Sequence, residues 1–144
     1  MTRTGKAHSR RPVSKRMPSW LRYSPEEVEA FVIKLAKEGQ TQSQIGVTLR
    51  DQYGIPLVKA VTGKSVLAIL SESNMKPSIP EDLSNLITKA NGLQRHLTKN
   101  KSDAVNKRSL ELVVSKVRST GRYYRSVGKL PKNWEYKPDE TRAV

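Results

Sequence analysis

Two apolar stripes at helical spacing, separated by a short polar turn, constrain the fold of this chain more than any other feature. The first stripe follows Pro80-Glu81-Asp82 and consists of Leu83, Leu86, Ile87, Ala90, Leu93 and Leu97. The second consists of Leu110, Val113, Val114 and Val117. Apolar residues three and four positions apart share one face of an α-helix. Two long helices joined by a short loop form an antiparallel hairpin, so residues 76–134 are predicted to be a helical hairpin domain.

Residues 20–75 are predicted to form a small module of three helices. The pairs Ser24/Glu27 and Thr41/Gln44 both fit the capping box, in which a hydroxyl residue is followed three positions later by Glu or Gln. Thr62 is predicted to cap the third helix. No convincing strand pair accompanies these signals. The predicted fold class is therefore all-α, with a basic N-terminal arm, a small helical module and then a long antiparallel helical hairpin.

The two ends of the chain offer little to bury. Residues 1–19 are dominated by Arg, Lys, Ser and Thr, a composition typical of a flexible arm that orders against a phosphate backbone. Arm contacts with phosphates are predicted for Arg3, Lys6, Arg10, Arg11, Lys15 and Arg16. Residues 135–144 are polar and are predicted to be a loose tail.

The distribution of charge indicates the kind of partner. The chain carries 27 Lys and Arg against 13 Asp and Glu, a net charge of +14. Residues 1–22 hold seven basic and no acidic residues, and residues 95–132 hold eleven basic and two acidic residues. A concentrated excess of one sign repels itself, and a polyanion relieves that repulsion. Nucleic acid is therefore favoured as the partner, ahead of an anionic membrane.

Several function classes are disfavoured by composition. The chain has no cysteine and two histidines, which excludes a disulfide framework and a cysteine-based zinc site. It shows neither an apolar stretch of about 18 residues nor the apolar core of a signal peptide. We therefore expect a cytoplasmic protein with no membrane partner, no cofactor, no bound metal and no small-molecule substrate.

The segment Thr62-Gly63-Lys64-Ser65 resembles the end of a phosphate-binding P-loop. That loop needs a glycine five positions before its Gly-Lys pair, because its backbone amides wrap the phosphate. Val58 stands there instead, and no hydrophobic strand precedes it. Nucleotide hydrolysis is disfavoured. Since no credible nucleophile is evident either, the chain is not expected to be an enzyme.

A helix-turn-helix DNA-binding protein is the serious alternative. The second and third helices of the module, with the turn between Gly54 and Thr62, could form such a motif. Against it, residues 23–94 are close to neutral, and Lys64 is the third helix's only basic residue. A helix that reads base edges normally carries Arg, Asn or Gln.

Three polar residues are predicted to meet at the tip of the hairpin. His96 lies near the end of the first long helix, and Asp103 and Asn106 lie near the start of the second. Short side chains that donate and accept hydrogen bonds can reach 2′-hydroxyls and base edges in the shallow minor groove of A-form RNA. A simpler role is also open, in which Asp103 caps the second helix. The two roles can coexist.

The second long helix carries the densest basic block. Its basic residues are Lys107, Arg108, Lys116, Arg118, Arg122 and Arg125. Arginine binds phosphates through two parallel hydrogen bonds, and an interleaved tyrosine such as Tyr123 can stack on a base. The block therefore predicts an RNA-binding face.

The C-terminal pattern resembles the universal small-subunit ribosomal protein fifteen family. The residues that carry this resemblance are His96-Leu97, Asp103, Lys107-Arg108, residues 110–113, Lys116, Arg118 and Tyr123. Segments that resemble the longer archaeal and eukaryotic form are Pro18-Ser19-Trp20-Leu21, Ser43-Gln44-Ile45-Gly46, Leu49-Arg50-Asp51 and Leu130-Pro131-Lys132-Asn133-Trp134.

The resemblance implies a structural constituent of the small ribosomal subunit. It implies binding to the central domain of small-subunit rRNA at a three-way junction and at an adjacent minor-groove site. In the bacterial form a His, an Asp and a Ser make the groove site; His96 and Asp103 match the first two, and Asn106 replaces the Ser. Tyr123 matches the junction tyrosine. Implied further partners are other ribosomal proteins and, at the subunit interface, large-subunit rRNA.

Overall fold

The computed structural model describes residues 16–136, and these residues form six α-helices and no strand. The helices are α1 (Pro25–Lys37), α2 (Gln42–Gln52), α3 (Val58–Thr62), α4 (Val66–Glu72), α5 (Glu81–Lys99) and α6 (Ala104–Ser126). The all-α prediction is confirmed. The described residues divide into two compact units, with the boundary between Lys76 and Pro77.

The first helices of unit one begin where the capping signals place them. The Ser24 hydroxyl accepts a hydrogen bond from the Glu27 backbone N–H at 3.3 Å, and the Glu27 carboxylate accepts one from the Ser24 N–H at 2.8 Å. Thr41 and Gln44 make the same reciprocal pair at the start of α2, at 3.4 and 3.0 Å. Each box satisfies two backbone donors that no helical carbonyl can reach.

Unit one contains four helices where the sequence predicted three, and Thr62 does not cap the last one. Thr62 ends the short helix α3, and its hydroxyl donates to the Val58 carbonyl oxygen at 3.1 Å. Gly63 follows with φ +73°, a left-handed conformation that glycine adopts without steric cost. Ser65 then caps α4 by accepting from the Ala68 N–H at 3.2 Å. The prediction was wrong because α3 has only five residues, too few to show a helical period.

The core of unit one forms where α1 packs against α2, α3 and α4. Its fully buried side chains are Val28, Val32, Ile45, Leu49, Ile55 and Ile69. They come from every segment between α1 and α4 except α3, which adds Val58 and Val61 at the edge of the core. Unit one is therefore a folded module with its own apolar centre.

Unit two is the predicted hairpin, in which α5 packs along α6. Leu83 and Ala90 of α5 and Val113 and Val117 of α6 are buried together. Residues 100–103 make the turn, and Gly128, with φ +74°, follows the end of α6. The two long helices thus place residues near the turn at one end of a narrow, two-helix layer.

The chain beyond α6 returns to the hairpin, and this return includes Tyr136, which the sequence assigned to the loose tail. Leu130 is buried, and Trp134 and Tyr136 pack against the same core. The Tyr136 hydroxyl donates to the Asn91 side-chain oxygen at 3.2 Å. Each aromatic ring buries a large apolar area, so two rings can hold an otherwise polar segment against the core. The rest of the predicted tail, residues 137–144, lies outside the described residues.

Replacing Leu83 by Ala tests the hairpin core. Leu83 is fully buried, so the lost contacts and the cavity should lower the free energy of unfolding by about 2–5 kcal/mol. Leu112→Ala is the matched control, because Leu112 is half exposed on the same unit, and its effect should stay within about 0.5 kcal/mol. Urea denaturation followed by circular dichroism measures both. Equal losses would mean that Leu83 does not anchor the core.

Candidate nucleic-acid interface

The turn of the hairpin brings three predicted site residues into one hydrogen-bonded network. The His96 Nε2 atom lies 3.1 Å from Asp103 Oδ2. Asn106 Nδ2 donates to the same carboxylate oxygen at 2.8 Å. The residues are seven and three positions apart along the chain, and the antiparallel turn lets them meet. We call His96, Asn100, Asp103 and Asn106 the hairpin tip.

Asn100, which sequence reasoning did not single out, holds the His96 ring. Its side-chain amide donates to the His96 carbonyl oxygen at 3.2 Å and lies 3.3 Å from His96 Nδ1. An amide N–H opposite Nδ1 and a carboxylate opposite Nε2 suit a ring that accepts at Nδ1 and carries a proton at Nε2. That proton then points at Asp103, so both ring nitrogens have a partner and the ring orientation is set.

Asp103 is both a helix cap and a member of the tip. Its Oδ1 accepts from the Asn106 backbone N–H at 3.0 Å, the hydrogen bond that caps α6. The backbone and side-chain N–H groups of Asn106, and then His96, lower the pKa of the Asp103 carboxyl to about 2. Hydrogen bonds to a charged form stabilise that form. Asp103 is therefore a fixed anion at neutral pH.

The tip remains open for contact with a ligand. The side chains of His96 and Asp103 are 42% and 29% exposed. Within residues 16–136, the Asn106 side-chain oxygen accepts no hydrogen bond, since the contacts of Asn106 all run through its nitrogens. A carboxylate has about four acceptor positions, so Asp103 also keeps some free. The tip can thus accept hydrogen bonds from hydroxyl or amino donors of a nucleic acid.

The basic block of α6 lies on two faces. A helical rotation of 100° per residue puts Arg118, Arg122 and Arg125 together and Tyr123 about 140° around the helix from Arg118. Lys116 and Ser119 lie beside Tyr123. The single interleaved face that the sequence suggested is therefore divided. We call Lys116, Ser119 and Tyr123 the Tyr123 flank.

The two adjacent tyrosines have different surroundings. Tyr123 is 60% exposed. Tyr124 is half-buried against the hairpin core, and its hydroxyl donates to Asp82 Oδ2 at 2.6 Å. This hydrogen bond to Asp82, together with partial burial, raises the pKa of Tyr124 to about 12. Tyr123 is thus available to a ligand, and Tyr124 ties α6 to the start of α5.

The remaining predicted cations differ in their surroundings. Lys107 is exposed near the start of α6, and Arg108 pairs with Glu111 at 3.0 Å on the surface. Arg16 is exposed at the first described position. The other predicted arm contacts, Arg3, Lys6, Arg10, Arg11 and Lys15, lie outside the described residues.

Lys64 is paired inside unit one, which bears on both alternatives that use it. Its ammonium lies 2.8 Å from Glu72 and 3.4 Å from Glu29. The two carboxylates raise the pKa of Lys64. The only cation of the third predicted helix is therefore already matched by acids, which leaves that helix little attraction for a phosphate.

No helix within residues 16–136 is long and apolar enough to span a membrane. No group of three or more His, Cys, Asp or Glu side chains in this part of the chain is arranged to hold a metal ion.

Comparison with known proteins identifies the family. The Ribosomal S13/S15 N-terminal domain matches residues 1–55, and Ribosomal protein S15 matches residues 67–143. Small ribosomal subunit protein uS15 of Nitrosopumilus maritimus is 52% identical over 135 residues, which cover 94% of this chain and 91% of that protein. The same protein of Cenarchaeum symbiosum is 53% identical over 94% of this chain and 90% of its own length. That of Sulfolobus acidocaldarius is 52% identical over 93% and 88%.

The helical fold, the cationic hairpin and these similarities define a structural, non-enzymatic ribosomal protein. The chain belongs to the family of small ribosomal subunit protein uS15. The predicted resemblance and the prediction that the chain is not an enzyme are confirmed.

Lowering the pH should remove the charge-dependent part of the Asp103 cap. The folded pKa lies below the ordinary value of 3.8, so this stabilisation is present above pH ~4 and is lost as the pH falls through ~2. Asp103→Asn keeps a capping oxygen but cannot ionise. The difference in urea midpoint between wild type and Asp103→Asn should shrink as the pH falls from ~4 towards ~2. A difference that is unchanged at low pH would contradict the assignment.

Proposed function

We propose that this chain is a structural constituent of the small ribosomal subunit whose unit two binds the central domain of small-subunit rRNA. The observation that carries the proposal is the hairpin tip, an open hydrogen-bonded network at the end of a cationic two-helix layer. Membership of the uS15 family supports the ribosomal setting. The protein would act in the cytoplasm on the ribosome, with other ribosomal proteins as neighbours.

The first contact that we propose is with a minor groove. An A-form helix displays 2′-hydroxyls and base edges in a wide, shallow minor groove. The Asn106 oxygen and the free positions of Asp103 would accept from hydroxyl or guanine amino donors there. His96 would hold Asp103 in place and contact the groove through its exposed ring edge. Because the network is already formed in the protein, little ordering would be required on binding.

Asn106 replaces the serine of the bacterial form, and its geometry is compatible with a groove contact. Its longer side chain bends back to donate to Asp103 at 2.8 Å. This leaves the amide oxygen directed away from that bond and able to accept. The replacement would keep an acceptor at the tip but change its position.

The second contact that we propose is with a three-way junction, through the Tyr123 flank. An exposed tyrosine offers a ring face for stacking and a hydroxyl for hydrogen bonding. Lys116 and Ser119 beside it would bind the neighbouring backbone. Tyr123 touches Tyr124 edge to face, with ring centroids 5.2 Å apart, and that contact limits the freedom of the exposed ring.

Further partners are proposed on charge. Residues 1–19 hold six basic and no acidic residues, and we propose that this arm neutralises rRNA phosphates. We propose large-subunit rRNA at the subunit interface as a further partner. Unit one would make contacts that the hairpin does not make. The helix-turn-helix alternative has no observation in its favour, because Lys64 is paired with Glu29 and Glu72.

Replacing His96 should reduce selectivity for RNA, whereas replacing its cationic neighbour Lys99 should not. His96→Ala removes a partner of Asp103 in the network, so affinity for a central-domain rRNA fragment should fall more than affinity for a random RNA duplex. Lys99→Ala removes one exposed charge in the same turn, so both affinities should fall by a similar factor. Filter binding at two salt concentrations measures both ratios. Equal losses for His96→Ala on the two RNAs would restrict the tip to capping.

Replacing Tyr123 should affect the junction alone. Tyr123→Ala should weaken binding to a fragment that contains the three-way junction by about 1–3 kcal/mol if one base stacks on the ring. Binding to the isolated groove stem should be unchanged, and Tyr123→Phe should retain most of the stacking. Titrations of both fragments test this. Loss on both fragments would contradict a junction-specific role.

A further inference from the structure

Arg118, Arg122 and Arg125 line one concave surface of unit two. The concavity has a volume of about 280 Å³, and its other walls are Trp134, Glu135 and Tyr136. We call these six residues the arginine cleft. One water occupies about 30 Å³ in the liquid, so the cleft has room for a phosphodiester group together with several waters.

The three arginines have no partner within the part of the chain that the structure describes. Two other arginines there are paired: Arg50 with Asp51 at 2.6 Å and Arg108 with Glu111 at 3.0 Å. The cleft holds one acid, Glu135, and it forms no ion pair with the arginines. Like charges held on one face repel each other, and an anion between them removes that repulsion.

The cleft depends on how the chain after α6 is held against the helix. Trp134 lies directly on Gly121, and its ring occupies the place that a Cβ atom would need. Leu130 is buried before it, and the Tyr136 hydroxyl bonds to Asn91 after it. The returning segment is thus anchored on both sides of the tryptophan. A glycine in the middle of a long helix, which costs stability in itself, is explained by this close approach.

We propose that the arginine cleft binds one backbone phosphate of the rRNA, at a site separate from the hairpin tip and from the Tyr123 flank. Arginine offers a planar fork of donors that matches two phosphate oxygens. RNA is favoured over an acidic protein segment because the arginines belong to the same helix as the Tyr123 flank. The inference rests on the proposed function, since it assumes that unit two binds RNA. It adds that the returning segment shapes part of the RNA surface.

Gly121→Ala tests the cleft without changing a single charge. The new methyl group must displace Trp134, while alanine favours the helix, so α6 should remain folded. We expect affinity for the central-domain fragment to fall about tenfold, as for one lost charge-assisted hydrogen bond. The slope of log affinity against log salt should fall by about one unit.

Gly92→Ala is the matched control. Gly92 also lies inside a long helix of the hairpin, but no atom lies within 4 Å of a Cβ built there. It should gain the same helix propensity and bind RNA as the wild type does. Both variants are made in a Trp20→Phe background, so that fluorescence reports on Trp134 alone. A red shift of the fluorescence emission maximum in Gly121→Ala, with an unchanged helical circular dichroism signal, would verify that the Trp134 ring no longer packs on residue 121.

Two further variants test the cleft even if Gly121→Ala does not fold, and they should change the affinity for RNA in opposite directions. Glu135→Gln removes the only acid of the cleft and should raise affinity for the fragment, whereas Arg122→Ala should lower it. If Gly121→Ala folds and binds RNA as the wild type does, the cleft proposal is overturned and the proposed function stands. If Gly121→Ala does not fold, the same conclusion follows from normal RNA binding by both Glu135→Gln and Arg122→Ala. Normal RNA binding with poor retention in reconstituted subunits would overturn it in favour of a protein neighbour. Absence of binding by the wild type would instead reject the proposed function.

Discussion

The packing of α5 against α6 is the interaction on which the rest of unit two depends. Leu83, Ala90, Val113 and Val117 are buried between the two helices, and their burial keeps the helices in one register. That register decides which residues face each other at the turn. His96 and Asp103 can share a hydrogen bond only because the apolar contacts below them hold both helix ends. The polar network at the tip is thus a consequence of apolar packing elsewhere in the hairpin.

The same hairpin carries a concentrated positive charge, and few of its own acidic residues offset that charge. Few acids accompany the cations of residues 95–132, and the anion Asp103 is used for the cap and the tip rather than for an arginine. In unit one, by contrast, Lys64 and Arg50 have carboxylate partners. The two units therefore differ in how they treat charge. Residues 77–136 hold more cations than acids, and such an excess of one sign repels itself.

Much of the fold could be predicted from the sequence, because its signals are local. Ser24 with Glu27 and Thr41 with Gln44 cap helices over three residues, and the stripe from Leu83 to Leu97 repeats over one helix face. The short α3 was missed because Val58–Thr62 is too brief to show a period. The return of Trp134 and Tyr136 was missed because it joins positions far apart in the chain. Gly121 was the available signal, since a glycine inside a long helix often marks a close approach.

The sequence by itself determined the helical class, the hairpin, the excess of cations and the meeting of His96, Asp103 and Asn106 at the turn. These follow from spacing and from the short connection between two helices. Only the tertiary structure decided that Asn100 orients His96, that Tyr124 is bonded to Asp82 while Tyr123 is exposed, and that three arginines form a cleft with the segment after α6. Those features depend on contacts between distant residues, and no local pattern specifies which distant side chain will fill a given space.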